Sequence, residues 1–262
     1  MDSARLAIVG GGNMGAALLG GLLAAGWADA GELAVVEVSP PRRAHLVEQF
    51  PGVSVLESIG PCDAALVAVK PADVAVATAA ATAAGAKRIL SIAAGVSIAA
   101  IEAAAPGVAV VRCMPNTPAL VGEGAAAIAG GAHATDDDLA WAEGILGAVG
   151  TVVCVPEYQL DAVTGLAGSG PAYVFLVAEA LIDAGVLAGL ARPVAEALVV
   201  QLLTGSAALL ADRGDPASLR AMVTSPGGTT AAGLRALEDH GVRAAFLDAV
   251  IAATERSREL GR

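Results

Sequence analysis

Over roughly the first 155 residues, short apolar runs alternate with alanine-rich runs of helical character. The short runs are rich in Val, Ile and Leu and are bounded by turn residues, which is typical of strands buried in a parallel sheet. Strands are predicted over residues 5–9, 33–38, 64–69, 88–92, 109–112, 125–129 and 151–155. Helices are predicted over residues 13–25, 41–49, 71–84, 97–104 and 136–147. This α/β alternation predicts a doubly wound, mostly parallel sheet.

From about residue 156 the strand pattern stops and long helical runs follow. Helices are predicted over residues 173–187, 192–211, 216–223, 230–239 and 243–260. We therefore expect a sheet domain over residues 1–155 and an all-α domain over residues 156–262. The run 173–187 is apolar nearly all round, with only Glu179 and Asp183 charged. A domain of this size cannot easily bury such a helix alone, so we expect two subunits to share it.

A long run without a charged residue covers residues 162–178, which raises the question of a membrane span. Gly168-Ser-Gly-Pro171 stands in its middle, so we expect a break there and a buried segment, with no membrane as partner. The first predicted strand starts within the first few residues, so we expect no signal peptide. Three cysteines, far apart in the chain, fit a reducing compartment, and we expect a cytoplasmic protein without a metal.

The charge balance indicates which partners to expect. The formal net charge is -11, and Lys70 and Lys87 are the two lysines of the chain. Nucleic-acid binding demands clustered basic residues, so nucleic acid is not an expected partner. Hydrophobic residues make up 56% of the chain and aromatic residues 3%, so the core is built from Ala, Val, Leu and Ile.

A glycine-rich turn joins the first predicted strand to the first predicted helix. Its sequence, Gly10-Gly-Gly-Asn-Met-Gly15, is G-x-G-x-x-G in the context that binds dinucleotides, a Rossmann-like strand–turn–helix unit. Gly10 permits the tight turn, Gly12 lets the backbone approach a pyrophosphate, and Gly15 lets the helix pack on the strand. The free N–H groups of the helix start attract phosphate. The expected cofactor contacts of this turn are Gly10, Gly12, Asn13, Met14 and Gly15.

Two signals at the end of the second strand favour different cofactors. Glu37 can accept a hydrogen bond from a ribose 2′-OH, which favours NAD (NADH). Ser39, Arg42 and Arg43 can hold a 2′-phosphate, which favours NADP (NADPH). The loop beyond the strand is the usual phosphate site, so we favour NADP and keep NAD as the alternative. The sequence is equally compatible with both arginines being solvated residues in the first turn of the next helix.

Five further segments are too specific in sequence to be plain scaffold. They are Ala68-Val-Lys-Pro71, Ser91-Ile-Ala-Ala-Gly-Val96, Arg112-Cys-Met-Pro-Asn-Thr-Pro118, Thr164-Gly-Leu-Ala-Gly-Ser-Gly-Pro-Ala-Tyr173 and Ser225-Pro-Gly-Gly-Thr-Thr230. Together with the glycine turn, this ordered set resembles pyrroline-5-carboxylate reductase, the last enzyme of proline biosynthesis. The resemblance runs from about residue 4 to residue 260. It implies an NAD(P)H-dependent reduction of 1-pyrroline-5-carboxylate to L-proline.

The resemblance also implies roles for individual residues. Ser39 matches a contact to the adenosine phosphate. In the family, two segments line the nicotinamide side of the cofactor. The residues that match them here are Ala68, Val69, Lys70, Pro71, Ala93, Ala94 and Gly95. Positions of the substrate pocket match Glu157, Thr164, Gly228, Thr229 and Thr230. The resemblance implies a homodimer with interlocked C-terminal helices and a ring of such dimers.

The chemistry of imine reduction supports the same assignments. A protonated cyclic imine is already electrophilic, so the protein mainly positions substrate and cofactor and excludes water. Gly227 to Thr230 opens a helix whose free N–H groups suit a carboxylate, and Thr164 is the expected catalytic side chain, at the ring nitrogen. Structural alternatives remain: Thr164 as a helix cap, Glu157 as a solvated acid, Arg112 as a salt-bridge anchor and Asn116 as a turn residue.

Three other functions are compatible with parts of the sequence. Another reductase on the same plan, such as a 3-hydroxy-acid dehydrogenase or ketopantoate reductase, polarises its substrate with a lysine in the helical domain. No lysine follows Lys87 here. A non-catalytic dinucleotide sensor would be expected to lose the Gly227–Thr230 carboxylate site. A purely structural helical oligomer leaves the amino-terminal motifs unexplained.

Overall fold

The computed structural model describes residues 3–261, and the chain divides into two compact units. The first unit contains the described residues up to Ser169 together with those from Ile251 onward, and the second is Gly170–Val250. The final helix therefore begins in the second unit and ends in the first. The sequence predicted a domain boundary near residue 155. The first compact unit ends at Ser169, fourteen residues later.

One eight-stranded sheet forms the centre of the first unit. Its strands are β1 Leu6–Val9, β2 Leu33–Val36, β3 Ser54–Leu56, β4 Ala64–Val67, β5 Arg88–Ser91, β6 Ala109–Met114, β7 Gly124–Gly130 and β8 Gly150–Cys154. Their order is β3-β2-β1-β4-β5-β6-β7-β8, parallel throughout except where β7 runs antiparallel to β6. The predicted doubly wound, mostly parallel sheet is confirmed.

Helices cover both faces of this sheet. They are α1 Asn13–Ala24, α2 Pro40–Gln49, α3 Val74–Ala83, α4 Ile98–Ala104, α5 Asp136–Leu146 and α6 Leu160–Val163. Alternate residues of β1 enter two separate apolar cores: Leu6 and Ile8 belong to one, and Ala7 and Val9 to the other. All four positions are buried because both faces of a parallel sheet are covered.

A π-helical turn, Thr164–Gly168, follows α6 and leads directly into α7. We call it the π segment. The sequence predicted a break at Gly168-Ser-Gly-Pro171, and the α-helix is indeed interrupted there, because the π segment ends at Gly168, Ser169 forms a bend and α7 begins at Gly170. The interruption is narrow, since the helical run as a whole extends from Glu157 to Leu187. Pro171 is tolerated since it is the second residue of α7, where a proline costs little.

The second unit is helical, as predicted. Its helices are α7 Gly170–Leu187, α8 Arg192–Arg213, α9 Pro216–Met222, α10 Thr229–Asp239 and the start of α11 Val242–Leu260. None of the residues of α7, all of which the structure describes, is buried, and Phe175 and Leu176 are each more than 60% exposed. By length and composition, the helical runs 157–187 and 192–213 are both apolar enough to cross a membrane. Apolar helices that pair with another subunit meet the same criteria of length and composition.

Some element boundaries differ from the prediction, and their causes are long-range contacts. Strand β3 was not predicted; its edge position leaves it only partly buried, so its apolar signal is short. Strand β2 ends two residues early, at Val36, because its neighbour β3 ends at Leu56, whose carbonyl accepts the last bond of the pair, from the Glu37 N–H. Strand β4 likewise ends at Val67, and a 3₁₀ turn, Pro71–Asp73, precedes α3.

Asp138 anchors α5 to the sheet as its N-terminal capping carboxylate. Its Oδ2 accepts from Thr135 N–H at 2.9 Å and from Thr135 Oγ at 2.7 Å, and its Oδ1 pairs with Arg88 Nε at 2.7 Å. Burial raises the pKa of Asp138, but the Thr135 hydrogen bonds and the Arg88 guanidinium outweigh it and hold the pKa below the ordinary value. The ionised carboxylate therefore stabilises the folded state.

We expect Asp138→Asn to lower the free energy of unfolding by about 1–3 kcal/mol at pH 7, because the charged acceptor of the Thr135 hydrogen bonds and of the Arg88 ion pair is lost. A folded-state pKa below the unfolded one means that this contribution is present above about pH 4 and disappears as the pH falls through the lowered value. Urea unfolding of both proteins between pH 3 and pH 7 measures the difference.

Asp137→Asn is the matched control, since Asp137 lies in the same helical turn but is exposed. A wild-type advantage that stayed constant down to pH 3, or an equal loss in the control, would contradict the role assigned to Asp138.

Candidate functional site

The glycine turn after β1 lies where the strand order reverses. Strands β1 and β4 are neighbours although they are not consecutive in the chain, and ligands of such sheets bind at the carboxyl ends beside this reversal. Gly10 adopts φ +111°, and a Cβ atom there would lie 2.5 Å from the carbonyl oxygen of Ala68, just beyond β4. A Cβ on Gly15 would collide with the carbonyl of Gly10. Only glycine fits at both positions.

The start of α1 is open toward solvent. Gly12 is its N-cap residue; a Cβ there would meet nothing within 4 Å, and no described side chain caps the helix. The first-turn N–H groups of Asn13 and Met14 are therefore available to an anion, and the helix dipole adds partial positive charge. The geometry fits a dinucleotide pyrophosphate at Gly12, Asn13 and Met14.

Glu37 holds the glycine turn to the loop that follows β2. Its Oε2 accepts from Gly11 N–H at 3.1 Å and its Oε1 from Ser39 N–H at 2.8 Å. Arg42, in the first turn of α2, completes the contact, because its Nε donates to Gly11 O at 2.7 Å. The peptide groups on both sides of Gly11 are thus bound by side chains of opposite charge. The sequence pattern gave no role to Gly11, whose buried position beside Leu46 leaves no room for a Cβ.

The neighbouring arginine is committed to the backbone of the same loop. Arg43 Nη1 donates to Glu37 O at 2.8 Å and to Val38 O at 2.9 Å, and its Nη2 pairs with Glu57 at 3.3 Å. In the described chain, by contrast, the Ser39 hydroxyl makes no hydrogen bond, and Arg42 keeps one Nη group free. These groups remain able to bind a phosphate, and both oxygens of Glu37 are already engaged.

A cavity of about 360 Å³ in the first unit gathers several of the predicted residues. Pro71, Ala94, Gly95 and Thr164 line it, and the last turns of α11 form a further wall at Ala253 and Ser257. The cavity thus combines the segments after β4 and β5 with the start of the π segment. Sequence reasoning missed the part played by α11, because no motif marks its end.

The remaining cofactor positions flank this cavity. Ala68 and Val69 lie directly after β4, the Ala68 N–H donates to Val9 O of β1 at 2.8 Å, and Lys70 is exposed. Ala93 is buried, and Gly95 adopts φ +74°. Their placement at the carboxyl edge of the sheet fits the lining role that the resemblance implies.

Thr164 is the C-cap residue of α6 and the first residue of the π segment, so the alternative of a helix cap is confirmed. Its Oγ donates to Leu160 O at 2.8 Å, one turn earlier. The hydroxyl proton is therefore engaged, and the lone pairs of Oγ are left to accept a hydrogen bond. A protonated imine nitrogen carries an N–H that requires such an acceptor.

Glu157 occupies a different cavity from Thr164. Its Oε1 accepts from Ile98 N–H at 2.6 Å and from Arg112 Nη1 at 3.0 Å. Both side chains line a cavity of about 490 Å³, and Gly95 borders both cavities. The expectation that Arg112 anchors a loop through a salt bridge is confirmed, and Glu157 is its partner. The substrate-binding role of Glu157 stays a prediction.

The start of α10 is built like the start of α1. Gly227 adopts φ +69°, Gly228 is the N-cap residue, and no described side chain caps the helix. The Gly228 N–H donates to Ser225 O at 3.0 Å, so the segment before the helix is a tight turn. The N–H groups of Thr229 and Thr230 and the Thr230 hydroxyl are thus available to a carboxylate. These residues lie in the second unit, whereas Thr164 lies in the first.

Metal and thiol chemistry find little support at these sites. Among residues 3–261, no group of three His, Cys, Asp or Glu side chains is arranged to hold a metal ion. Burial raises the pKa of the Cys113 thiol, which keeps it protonated, and Cys154 lies on an exposed strand end.

Two family profiles cover most of the chain. Residues 157–260 match the family described as pyrroline-5-carboxylate reductase dimerisation, and residues 5–95 match the family described as NADP oxidoreductase, coenzyme F420-dependent. The pyrroline-5-carboxylate reductase of Mycobacterium tuberculosis is 45% identical over 98% of this chain and 97% of its own. That of Synechocystis is 45% identical over 99% of both chains.

Solved structures give the same result. A pyrroline-5-carboxylate reductase from Coxiella burnetii superposes with a TM-score of 0.92 at 33% identity, over all of both chains. The pyrroline carboxylate reductase of Plasmodium falciparum, solved with NADP bound, superposes with a TM-score of 0.85 at 31% identity, also over all of both chains.

We expect Arg42→Gln to weaken NADPH binding by about tenfold or more and NADH binding by only a few-fold. NADPH loses more affinity because a charge-assisted hydrogen bond to its 2′-phosphate is removed. NADH loses less because only the bond from Arg42 to the Gly11 carbonyl is removed. Fluorescence titration of both cofactors measures the two affinities.

Arg43→Gln is the matched control, because Arg43 already binds backbone carbonyls and should affect both cofactors alike. If Arg42→Gln weakened NADPH and NADH binding equally, Arg42 would serve only to hold the Gly11 carbonyl. If NADPH affinity did not change, Arg42 would not belong to the cofactor site.

Proposed function

Because the chain belongs to the pyrroline-5-carboxylate reductase family, we propose that it reduces 1-pyrroline-5-carboxylate to L-proline with a nicotinamide dinucleotide. The observation that carries this proposal is the pair of uncapped helix starts. One, at α1, suits a pyrophosphate, and the other, at α10, suits the substrate carboxylate. Between them in sequence lies Thr164, which offers a hydroxyl acceptor to an imine nitrogen.

The reaction requires positioning more than acid–base catalysis. The reduced nicotinamide supplies a hydride, which adds to the electrophilic imine carbon. Thr164 accepts a hydrogen bond from the protonated ring nitrogen and so fixes the orientation of the ring. The backbone N–H groups of Thr229 and Thr230, with the Thr230 hydroxyl, hold the carboxylate. Each of these contacts restricts the substrate's freedom, which is how binding energy lowers the barrier.

We assign the cofactor contacts to the residues at the carboxyl edge of the sheet. The pyrophosphate binds at the turn that contains Gly10, Gly12, Asn13, Met14 and Gly15. The nicotinamide side is lined by Ala68, Val69, Lys70, Pro71, Ala93, Ala94 and Gly95. We favour NADPH over NADH because Ser39 and Arg42 keep free donors at the loop after β2. A relative from Plasmodium falciparum with NADP bound is consistent with this preference.

The alternative functions fit less well. Reduction of a ketone, or oxidation of a 3-hydroxy acid, through a lysine in the helical domain is disfavoured, because the chain has no lysine after Lys87. A non-catalytic sensor has no need of the turn at Ser225–Gly228, which here leads into an uncapped α10.

The exposed helices of the second unit support a homodimer. Residues 157–260 match a dimerisation family, and α7 has no buried residue within one chain. We propose that a second chain covers this apolar face with interlocked helices, and that such dimers assemble into a ring. The proposed location is the cytoplasm, in keeping with relatives that are enzymes of amino-acid metabolism.

Initial-rate measurements test the function directly. We expect oxidation of NADPH, followed at 340 nm, that depends on added pyrroline-5-carboxylate and yields proline. NADH should support a lower kcat/KM. No oxidation of either cofactor would contradict the proposed function, and a clear preference for NADH would contradict the role given to Ser39 and Arg42.

Replacing Thr230 by Ala tests the carboxylate site. We expect KM for pyrroline-5-carboxylate to rise about 10–100-fold, because a hydrogen bond to a charged group is lost, with NADPH affinity unchanged. Thr82→Ala, which removes a hydroxyl on α3 far from these motifs, is the control and should change neither quantity. Equal losses of substrate and cofactor affinity would count against the assignment of Thr230.

A further inference from the structure

The π segment that carries Thr164 contains a carbonyl without its usual helical donor. The carbonyl of Ala167 would normally accept from the residue four positions later, which is Pro171 and has no N–H. Asn116 supplies the missing donor, since its Nδ2 donates to Ala167 O at 3.1 Å. The unusual helix is therefore completed from outside, by a residue about fifty positions earlier in the chain.

Asn116 is itself held on its other side by the sheet. Its Oδ1 accepts from the N–H of Ala125, at the start of β7, at 2.8 Å. The two ends of one amide group thus join the edge of the sheet to the π segment. A second contact, from the end of β6, supports this link, because a Cβ on Gly168 would lie 2.5 Å from Met114 Cε.

The π segment determines where the Thr164 hydroxyl lies. Thr164 is its first residue, and the carbonyl of Thr164 accepts from Ser169 N–H at 2.8 Å, the bond that defines the wide turn. The Thr164 side chain lines the cavity with Ala94 and Gly95. A conversion of the π turn to a regular α turn shifts the register by one residue and rotates Thr164 away from its present direction.

We propose that Asn116 is a positioning residue for hydride transfer, which holds the π segment so that Thr164 Oγ faces the imine nitrogen. The proposal rests on the proposed function, because it gives Thr164 the substrate contact described above. Asn116 touches neither the cavity nor the substrate, and it acts only through the hydrogen bonds to Ala125 and Ala167.

Asn116→Asp removes the donor to Ala167 and keeps an oxygen for Ala125. We expect kcat to fall about 10–100-fold, since a displaced contact at the reacting group costs that much, with NADPH affinity unchanged within about twofold. In a Thr164→Val background the same substitution should lower kcat by less than about twofold, because the residue it acts through is gone. Thr82→Val is the matched control for Thr164→Val, as Thr82 Oγ makes the same bond one turn back, to Thr78 O, outside the site.

Hydrogen–deuterium exchange of a peptide spanning residues 164–170 gives a readout that does not depend on turnover. We expect the Ser169 amide to exchange at least about tenfold faster in Asn116→Asp, with the strands unchanged. Asn116→Gln retains the amide oxygen and nitrogen but displaces them by one methylene group. It should show the same faster exchange with a smaller loss of kcat, and it replaces the Asp variant if that variant does not fold.

Two results would overturn the proposal. One is an unchanged exchange rate in residues 164–170, whether or not the wild-type protein is active. The other is an equal kcat loss in the wild-type and Thr164→Val backgrounds, which would indicate general destabilisation. Failure of the wild-type protein to reduce pyrroline-5-carboxylate would contradict the proposed function. The exchange measurement would still test whether Asn116 stabilises the π segment.

Discussion

The close approach of the Gly10 peptide to the carbonyl of Ala68 is the contact on which the rest of the site depends. It brings the ends of β1 and β4 together at the one place where the winding of the sheet reverses. A side chain at Gly10 would separate these two strand ends and tilt α1, whose open start faces the same crevice. Glu37 and Arg42 then bind the next peptide of the turn from either side. The cofactor-binding edge is thus fixed mainly by backbone geometry, and its side chains maintain that geometry.

Much of the architecture follows from local patterns in the sequence. The buried strands and the helices around them were predicted within a few residues, because their apolar periodicity reflects burial on the two faces of one sheet. The glycine turn and the start of α10 were also identified, since glycine is the residue that such turns require. The chemistry of these two helix starts depends on the backbone, so the motif alone carries most of the information.

The features that escaped prediction depend on contacts between distant residues. Edge strand β3 is short and half-exposed, and the π segment looks in sequence like a glycine-rich break. Its Ala167 carbonyl accepts a hydrogen bond from the Asn116 amide, which no local pattern reveals. The role of Glu37 was likewise open from the sequence, and only the positions of Gly11 and Ser39 show that both of its oxygens are engaged. The wall formed by the end of α11 has no motif of its own.

The uncovered apolar surface of α7 links folding to assembly. A chain that leaves Phe175 and Leu176 in water gains little from closing its second unit alone, so much of the free energy that stabilises this unit comes from the covering partner. The stability of the protein then depends on its own concentration, and dilution acts on it as a denaturant does. A cell that makes little of this chain would lose the fold of the second unit, and with it the activity proposed for the substrate site at α10.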